Sequence, residues 1–275
     1  MTEGSERNRE AAEWQRGIWN RYPEIYEREV DARFFPVVQG VIRRASLSPG
    51  QNVLDLGTGT GAVALHAVPL VAPDGMVVAV DISTEMLEMA RRRAAALGVN
   101  KITCREGGAE SIPAPDRAFD ALLASLSLMY ASDRAAVARE IARVLQPGGR
   151  FVAAVWAGPD GCDIVLFQQT AGRFAPPPPV PGVGPGALAD PRLFLQQLTG
   201  SGLDVQVETE TVGFDFPDFA SAWQILAGVT TAQLASQRRE EAQAAVRAAM
   251  WPEGNGPRHF RNVVQFIVGQ RRHSA

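Results

Sequence analysis

Cysteine is almost absent: Cys104 and Cys162 are the only two in 275 residues, and neither belongs to a CxxC pair. That excludes a disulfide framework and gives no sign of a zinc cluster; a reducing cytoplasm fits. Histidine is nearly as scarce, with His66, His259 and His273 scattered along the chain, and no metal-ligand set is read. A basic excess is missing too. The formal net charge is −3, which leaves no global basic surface to grip a phosphate backbone and argues against nucleic acid as a partner. The stretch Met1–Glu13 mixes both charge signs and lacks the apolar core of a secretory signal. No apolar run of the roughly 18 residues needed for a membrane span occurs. The expectation is a cytoplasmic protein, monomer or homo-oligomer, that works on a small molecule.

What is present is apolar material in quantity, 46% of residues, enough for one good-sized α/β core with residues left over to cover it. Between Gln51 and Trp156, short β-branched runs alternate with longer segments of helical spacing. The pattern predicts βαβ units and a parallel sheet with helices on both faces. The runs are Asn52–Leu56, Met76–Val80, Lys101–Arg105, Phe119–Ala124 and Arg150–Val155. Before the last of these, Val137, Ile141, Val144 and Leu145 form one helical stripe, ended by Pro147-Gly148-Gly149. Upstream, Trp14–Ser46 reads as helix with Ile18, Trp19, Tyr22, Ile25 and Tyr26 on a narrow face, broken at Pro23 and again near Pro36. Downstream, Ala175–Gly186 is too rich in proline and glycine for either element and reads as a loop. Strand-like runs resume at Leu203–Val212 and Asn262–Val268, separated by a helical stretch, Ala220–Met250.

The chemistry concentrates after the first run. Val53-Leu-Asp-Leu-Gly-Thr-Gly-Thr-Gly-Ala62 closes a strand with Gly57, Gly59 and Gly61 and opens a helix. Glycines there let the backbone turn sharply and admit a ligand against bare main chain. The second run ends in Asp81, about 20 residues on, where a carboxylate accepts the hydroxyl protons of a ribose. Together these indicate an adenosine-containing cofactor. Gly57, Gly59 and Ala62 also satisfy the G-x-G-x-x-G/A pattern of nicotinamide enzymes. Asp55, two residues before the first glycine, faces a diphosphate unfavourably but suits the ammonium and sulfonium of S-adenosylmethionine.

In the order of its motifs the sequence resembles the class I S-adenosylmethionine-dependent methyltransferases, in particular the small-molecule branch of ubiquinone/menaquinone-type and natural-product enzymes. The motifs are Asp55-Leu-Gly-Thr-Gly-Thr-Gly61; Val80-Asp-Ile-Ser83 with Met86-Leu87 and Ala90; Gly107-Gly-Ala-Glu-Ser-Ile-Pro113; Ala118-Phe-Asp120; and Val144-Leu-Gln-Pro-Gly-Gly149. The resemblance implies a Rossmann-like, mostly parallel seven-stranded sheet with helices on both faces. It divides the chain into an N-terminal helical segment (1–46), a cofactor-binding core (47–157), and a proline-rich loop and helix (158–202) in the cover. Residues 203–275 would complete the sheet, with a helical cover insertion at 217–250.

The resemblance also implies roles for single residues. Gly57, Thr58 and Gly59 would line the methionine half of S-adenosylmethionine, Asp81 would hold the ribose hydroxyls, and Ile82 with Met86 would flank the adenine. Ala109 and Glu110 would border the adenine edge, and Ser125 with Leu126 would sit near the sulfonium. Where many relatives carry an Asp that accepts the adenine amino group, this chain has Gly108, and Glu110 or a main-chain carbonyl is the substitute.

Trp19, Tyr22 and Tyr26 have two uses, docking the N-terminal helix on the sheet or closing over the sulfonium with their ring faces. Tyr130 and His259 are the candidates for a catalytic base, if the acceptor needs one. Phe167, Phe174, Phe216, Phe219, Trp223, Ile225 and Trp251 in the cover favour a bulky hydrophobic substrate. Two further readings stay open from sequence: an NAD(P)-dependent oxidoreductase, and a cofactor-binding protein without turnover.

Overall fold

Apolar residues at consecutive positions of β1 (Asn52–Leu56), β4 (Phe119–Ser125) and β5 (Leu145–Trp156) are buried, as expected of strands covered on both faces. A computed structural model describes residues 3–273; residues 1–2 and 274–275, the extremes of the first and last expected segments, lie outside the described residues. The chain begins with α1 (Glu3–Trp19) and a single turn α2 (Pro23–Ile25), which passes through a π-helical turn, Tyr26–Val30, into α3 (Asp31–Ala45). After β1 come α4 (Ala62–Val71), β2 (Met76–Asp81), α5 (Thr84–Ala96) and β3 (Ile102–Glu106). β4 is followed by a 3₁₀ turn, Leu128–Tyr130, α6 (Arg134–Val144), β5, α7 (Asp163–Gly172) and α8 (Arg192–Gly200). The chain ends with β6 (Leu203–Phe216), α9 (Phe219–Leu226), α10 (Gly228–Thr231), α11 (Ser236–Met250) and β7 (Arg258–Arg271).

One seven-stranded sheet results, in the order β3-β2-β1-β4-β5-β7-β6. β7 alone runs against its neighbours β5 and β6, and the other pairs are parallel. Strand order reverses between β1 and β4, so the loops leaving their carboxyl ends part and leave a crevice, the usual ligand position in such sheets. β6 and β7 pair without interruption from Leu203↔Arg271 to Phe216↔Arg258, longer than the sequence pattern suggests. Val212, Phe214 and Phe216 continue the period-two burial past Gly213, whose missing side chain leaves room for the His259 ring.

Several local expectations change. Pro36 does not break its helix: it lies inside α3, whose inner face buries Phe34, Val37, Val38, Val41 and Ala45. That burial offsets the ~3 kcal/mol a mid-helix proline costs. Leu145 leaves the α6 stripe and starts β5, and the Pro-Gly-Gly behind it sits at a register shift between β4 and β5. Most of the cover aromatics pack on one another and do not line the crevice. Phe167, Phe216, Phe219 and Trp251 are buried around Phe260, with ring centroids 4.9 Å apart for Phe216–Phe260 and 5.3 Å for Phe219–Trp251. Trp223 packs on Phe167 and Phe219, and Phe174 lies under the Arg238 guanidinium. They are the cover's own core.

Candidate cofactor pocket

The floor of the crevice is the turn after β1. Gly57 has φ +72° and Gly61 φ +85°, conformations that side chains resist, and a Cβ on Gly57 would collide with Ser127. The Gly57 and Thr58 amides donate to the Val80 carbonyl at 2.8 and 3.0 Å, which ties the turn to β2. Asp81 at the end of β2 accepts from the Gly59 amide at 2.8 Å on Oδ2 and from the Ser83 amide at 2.9 Å on Oδ1. Each oxygen keeps a lone pair for a diol. Burial raises the Asp81 carboxyl above the usual carboxylate range, against the pull of the Ser83, Gly59 and Ile82 amides.

Asp55 is buried beneath the same turn. Its Oδ2 accepts from Thr58 Oγ1 at 2.6 Å and from the Ala64 amide at 3.0 Å, while Oδ1 has no hydrogen-bond partner. Burial pushes its carboxyl up to about 7, opposed by the bonds from Thr58 and Ala64, with the Asp81 charge adding to the rise. Two consequences follow. A donor in the first turn of α4, where a dinucleotide enzyme offers its amides to a phosphate, is already bound to a carboxylate, so the site repels a diphosphate. The unpartnered Oδ1 is matched to a cation such as the ammonium of an amino acid. Asp55 and Thr58 line a small cavity beside the main pocket, shared with Gly57, Gly59, Ser125 and Leu126.

The main pocket is lined by Gly57, Gly59, Asp81, Ile82, Met86, Ala109, Glu110, Ser125, Leu126, Trp19 and Tyr130. The structure thus gathers all the expected lining residues except Asp55 and Thr58, which lie in the adjoining cavity, and Tyr22. Met86 is buried in the first turn of α5, which Ser83 caps by accepting from the Met86 amide at 3.1 Å. Leu126, with φ +56°, is a strained residue just past β4, a conformation costing on the order of 1 kcal/mol or more and common where side chains meet ligands. Glu110 Oε1 accepts from the Ser132 amide at 2.8 Å and its hydroxyl at 3.0 Å. A Cβ on Gly108 would stand 3.5 Å from Glu110 Oε2.

The cover comes from the same chain. α1 is latched over the β2 and β3 ends: Arg16 Nε donates to the Ile82 carbonyl at 3.2 Å and pairs with Glu106, and the Ser83 hydroxyl donates to Asn20 Oδ1 at 2.7 Å. Trp19 stands edge-on to Tyr130 at 5.2 Å and to Tyr26 at 6.2 Å, and all three rings face the pocket. Burial raises both phenols above their ordinary value, so Tyr26 and Tyr130 stay protonated at neutral pH. Tyr22 is placed elsewhere, buried against Gly228 in a neighbouring cleft. His259 is placed on the exposed β6–β7 pair, its Nδ1 2.8 Å from Asp215 Oδ1, and does not line this pocket.

The structure adds Gln15, Leu56, Gly107, Ser127, Leu128 and Ala131. A signal for one was present: Gln15 lies one helical turn before Trp19, whereas Ser127 lies past the end of β4 and beyond the left-handed Leu126, where strand alternation no longer applies. The Ser127 hydroxyl donates to the Leu56 carbonyl at 2.8 Å, pinning the β4 loop to the end of β1.

Residues 53–149 match the family model described as a methyltransferase domain. Demethylmenaquinone methyltransferase of Symbiobacterium thermophilum is 40% identical over 112 residues, 40% of this chain and 45% of that protein. Nocamycin O-methyltransferase of Saccharothrix syringae is 34% identical over 133 residues, 48% of each chain. The chain therefore spans about half the length of the curated relatives it matches. In three dimensions the likeness is wider: YcgJ of Bacillus subtilis superposes with a TM-score of 0.66 at 23% identity, over 87% of this chain and 100% of that one. The [4+2]-cyclase SpnF gives 0.58 at 21% identity, over 87% of this chain and 81% of its own. The matched segment thus sits in a fold shared with a protein that is named for a different chemistry.

Proposed function

We propose that the protein is an S-adenosylmethionine-dependent methyltransferase acting on a small, largely apolar molecule. The observation that carries the cofactor reading is Asp55, which caps the α4 amide that a phosphate would need and turns an unpartnered oxygen beside the glycine turn. Asp81 would hold the ribose diol, Ile82, Met86 and Ala109 the adenine faces, and Glu110 Oε2 the adenine amino group in place of the missing side chain at Gly108.

When bound, this cofactor supplies a methyl group made electrophilic by its sulfonium. The chain's own part is placement and exclusion of water. Trp19 and the tyrosines beside it offer ring faces that attract a cation, while Leu126 and Ser125 bound the space beyond the β4 end. These side chains would hold an acceptor in line with that methyl group, which is the placement a direct displacement demands. Charge disperses during such a transfer, so apolar walls do not oppose it. Tyr26 and Tyr130 act as hydrogen-bond donors that orient an acceptor, since their raised pKa values make phenolate bases unsuitable near neutrality. We assign cofactor binding to residues 47–157 and the cover to 1–46, 158–202 and 217–250.

Calorimetry with S-adenosylhomocysteine, followed by turnover with a panel of apolar acceptors, tests this reading. Binding and one S-adenosylhomocysteine released per acceptor modified are expected. Binding of a nicotinamide dinucleotide with no response to S-adenosylhomocysteine, or product formed without methyl loss, would overturn it.

A further inference from the structure

A second chamber lies outside the cofactor pocket. It holds about 370 Å³, against about 110 Å³ for the pocket itself. Its walls are Trp14 and Ile18 of α1, the proline loop from Ala175 to Ala187, and the α10 region from Val229 to Leu234. Between chamber and pocket lies a narrow aromatic cleft bordered by Trp19, Tyr26, Leu126, Gln168 and Val229. Tyr130 lines all three spaces. Its ring therefore stands where a molecule in the chamber would pass an end toward the pocket. Its hydroxyl makes no hydrogen bond among the described residues, leaving it available to such an end.

The chamber's polarity is one-sided. Arg21 is the one charged residue among those that line it, accompanied by the amides of Gln168, Gln169 and Gln233 and the hydroxyls of Tyr130 and Thr230, the latter donating to the Ala227 carbonyl at 3.0 Å; the rest of the wall is apolar or backbone. Arg21 makes no ion pair among the described residues; with the Gln233 amide oriented so that its oxygen faces the guanidinium, that oxygen accepts at 3.2–3.3 Å. Of the other arginines close to these elements, Arg134 donates to the Gly182 carbonyl, Arg238 pairs with Glu241 at 3.0 Å, Arg239 donates to the Ala232 and Leu234 carbonyls at 3.2 Å, and Arg173 does not line the chamber. An unpaired guanidinium at the rim of an apolar chamber is a docking point for an anion, and its planar fork suits a carboxylate.

We propose that this chamber receives the methyl acceptor, and that the acceptor is an apolar molecule bearing a single carboxylate or comparable anionic group held by Arg21, its reacting end directed past Tyr130. The inference rests on the methyltransferase reading for the word acceptor, but the chamber's preference for an apolar anion stands without it.

The test uses two dyes that share a body and differ in charge, 8-anilinonaphthalene-1-sulfonate and the neutral N-phenyl-1-naphthylamine, titrated by fluorescence into the full chain saturated with S-adenosylhomocysteine. One equivalent of the anionic dye should bind about five- to tenfold tighter than the neutral one, the scale of a charge-assisted contact at a rim. Arg21→Met should remove that preference while leaving the neutral dye unchanged. Ala175→Trp, which fills the chamber, should weaken both dyes, and neither substitution should alter S-adenosylhomocysteine affinity measured by calorimetry. Equal binding of the two dyes, or a preference that survives Arg21→Met, overturns the proposal. If S-adenosylhomocysteine itself fails to bind, the methyltransferase reading falls, and the dye comparison on the free protein still decides the chamber.

Discussion

Glu110 reaches back to the space that a side chain on Gly108 would fill: its Oε2 lies 3.5 Å from where that Cβ would stand, while Oε1 is engaged by Ser132. Two residues of displacement along the chain are undone by a turn in space. Gly108 bridges to Ser111 and folds the segment back on itself. Glu110→Ala should weaken S-adenosylhomocysteine about tenfold, the worth of a hydrogen bond to a charged group. Adding Gly108→Asp should restore most of the loss, since the Gly108 backbone has no positive φ to forbid a side chain. Calorimetry on the single and double variants checks it, and a double variant as weak as the single one would refute the substitution.

Asp55 should make cofactor binding depend on pH. Its carboxyl rises from an ordinary 3.8 to about 7 through burial, so the folded, ligand-free protein keeps this proton through the acid range in which the unfolded chain loses it. Stability contributed by Asp55 accordingly falls as pH rises from 3.8 to about 7. An ammonium beside Oδ1 reverses the preference, favours the carboxylate, and expels the proton. Affinity for S-adenosylhomocysteine should climb between about pH 6 and 8, with proton uptake by the buffer visible in calorimetry across buffers of different ionisation enthalpy. Asp55→Asn should flatten the profile.

Gly57→Ala tests the turn. The new methyl group would meet Ser127 at a backbone φ of +72°, and strain with overpacking should cost about 2–3 kcal/mol. In thermal melts that corresponds to a fall of roughly 4–12 °C for a domain of 150–250 residues. S-adenosylhomocysteine should protect the variant far less than the parent. Unchanged protection would mean the turn is not the ligand floor.

Asp31 fastens the cover to that floor. Its Oδ2 accepts from Thr60 Oγ1 at 2.7 Å and pairs with Arg93, which also donates to the Thr60 carbonyl at 2.9 Å. α3, the glycine turn and α5 are thus joined through one carboxylate. Because Arg93 remains a quarter exposed, Asp31→Ala should destabilise by about 1–2 kcal/mol rather than the full cost of a buried orphan charge. Urea midpoints report the loss, and Arg93→Ala should add little in the Asp31→Ala background.

The sequence pattern carried the sheet and the glycine turn because both are written in neighbouring residues. Strands β1 to β5 lie within a few residues of the apolar runs, and Asp81 is identified by its place at a strand end. What depended on distant packing was less legible. Composition does not distinguish an aromatic that lines a cavity from one that fills the cover's own core, which is why Phe216, Phe219 and Trp251 were expected near substrate and lie around Phe260. Helical spacing put Tyr22 beside Trp19, but tight turns, with the Tyr22 amide donating to the Trp19 carbonyl, end α1 first and rotate Tyr22 toward Gly228. The β6–β7 pairing that exposes His259 joins residues too far apart for local patterning to register.

α1 presents Gln15 and Trp19 to the cofactor pocket and Trp14 and Ile18 to the outer chamber, so adjacent stripes of one helix wall two spaces. It is anchored through Arg16 to Ile82 and Glu106 and through Gln15 to the Tyr130 carbonyl, with Asn20 just past its end accepting from Ser83, so its ties all run to the pocket's rim. Occupancy of the two spaces is therefore linked by a shared rigid body: a ligand that settles the pocket's rim should also fix the inner wall of the chamber. Steady-state kinetics should accordingly be ordered, with the nucleoside ligand entering first and leaving last.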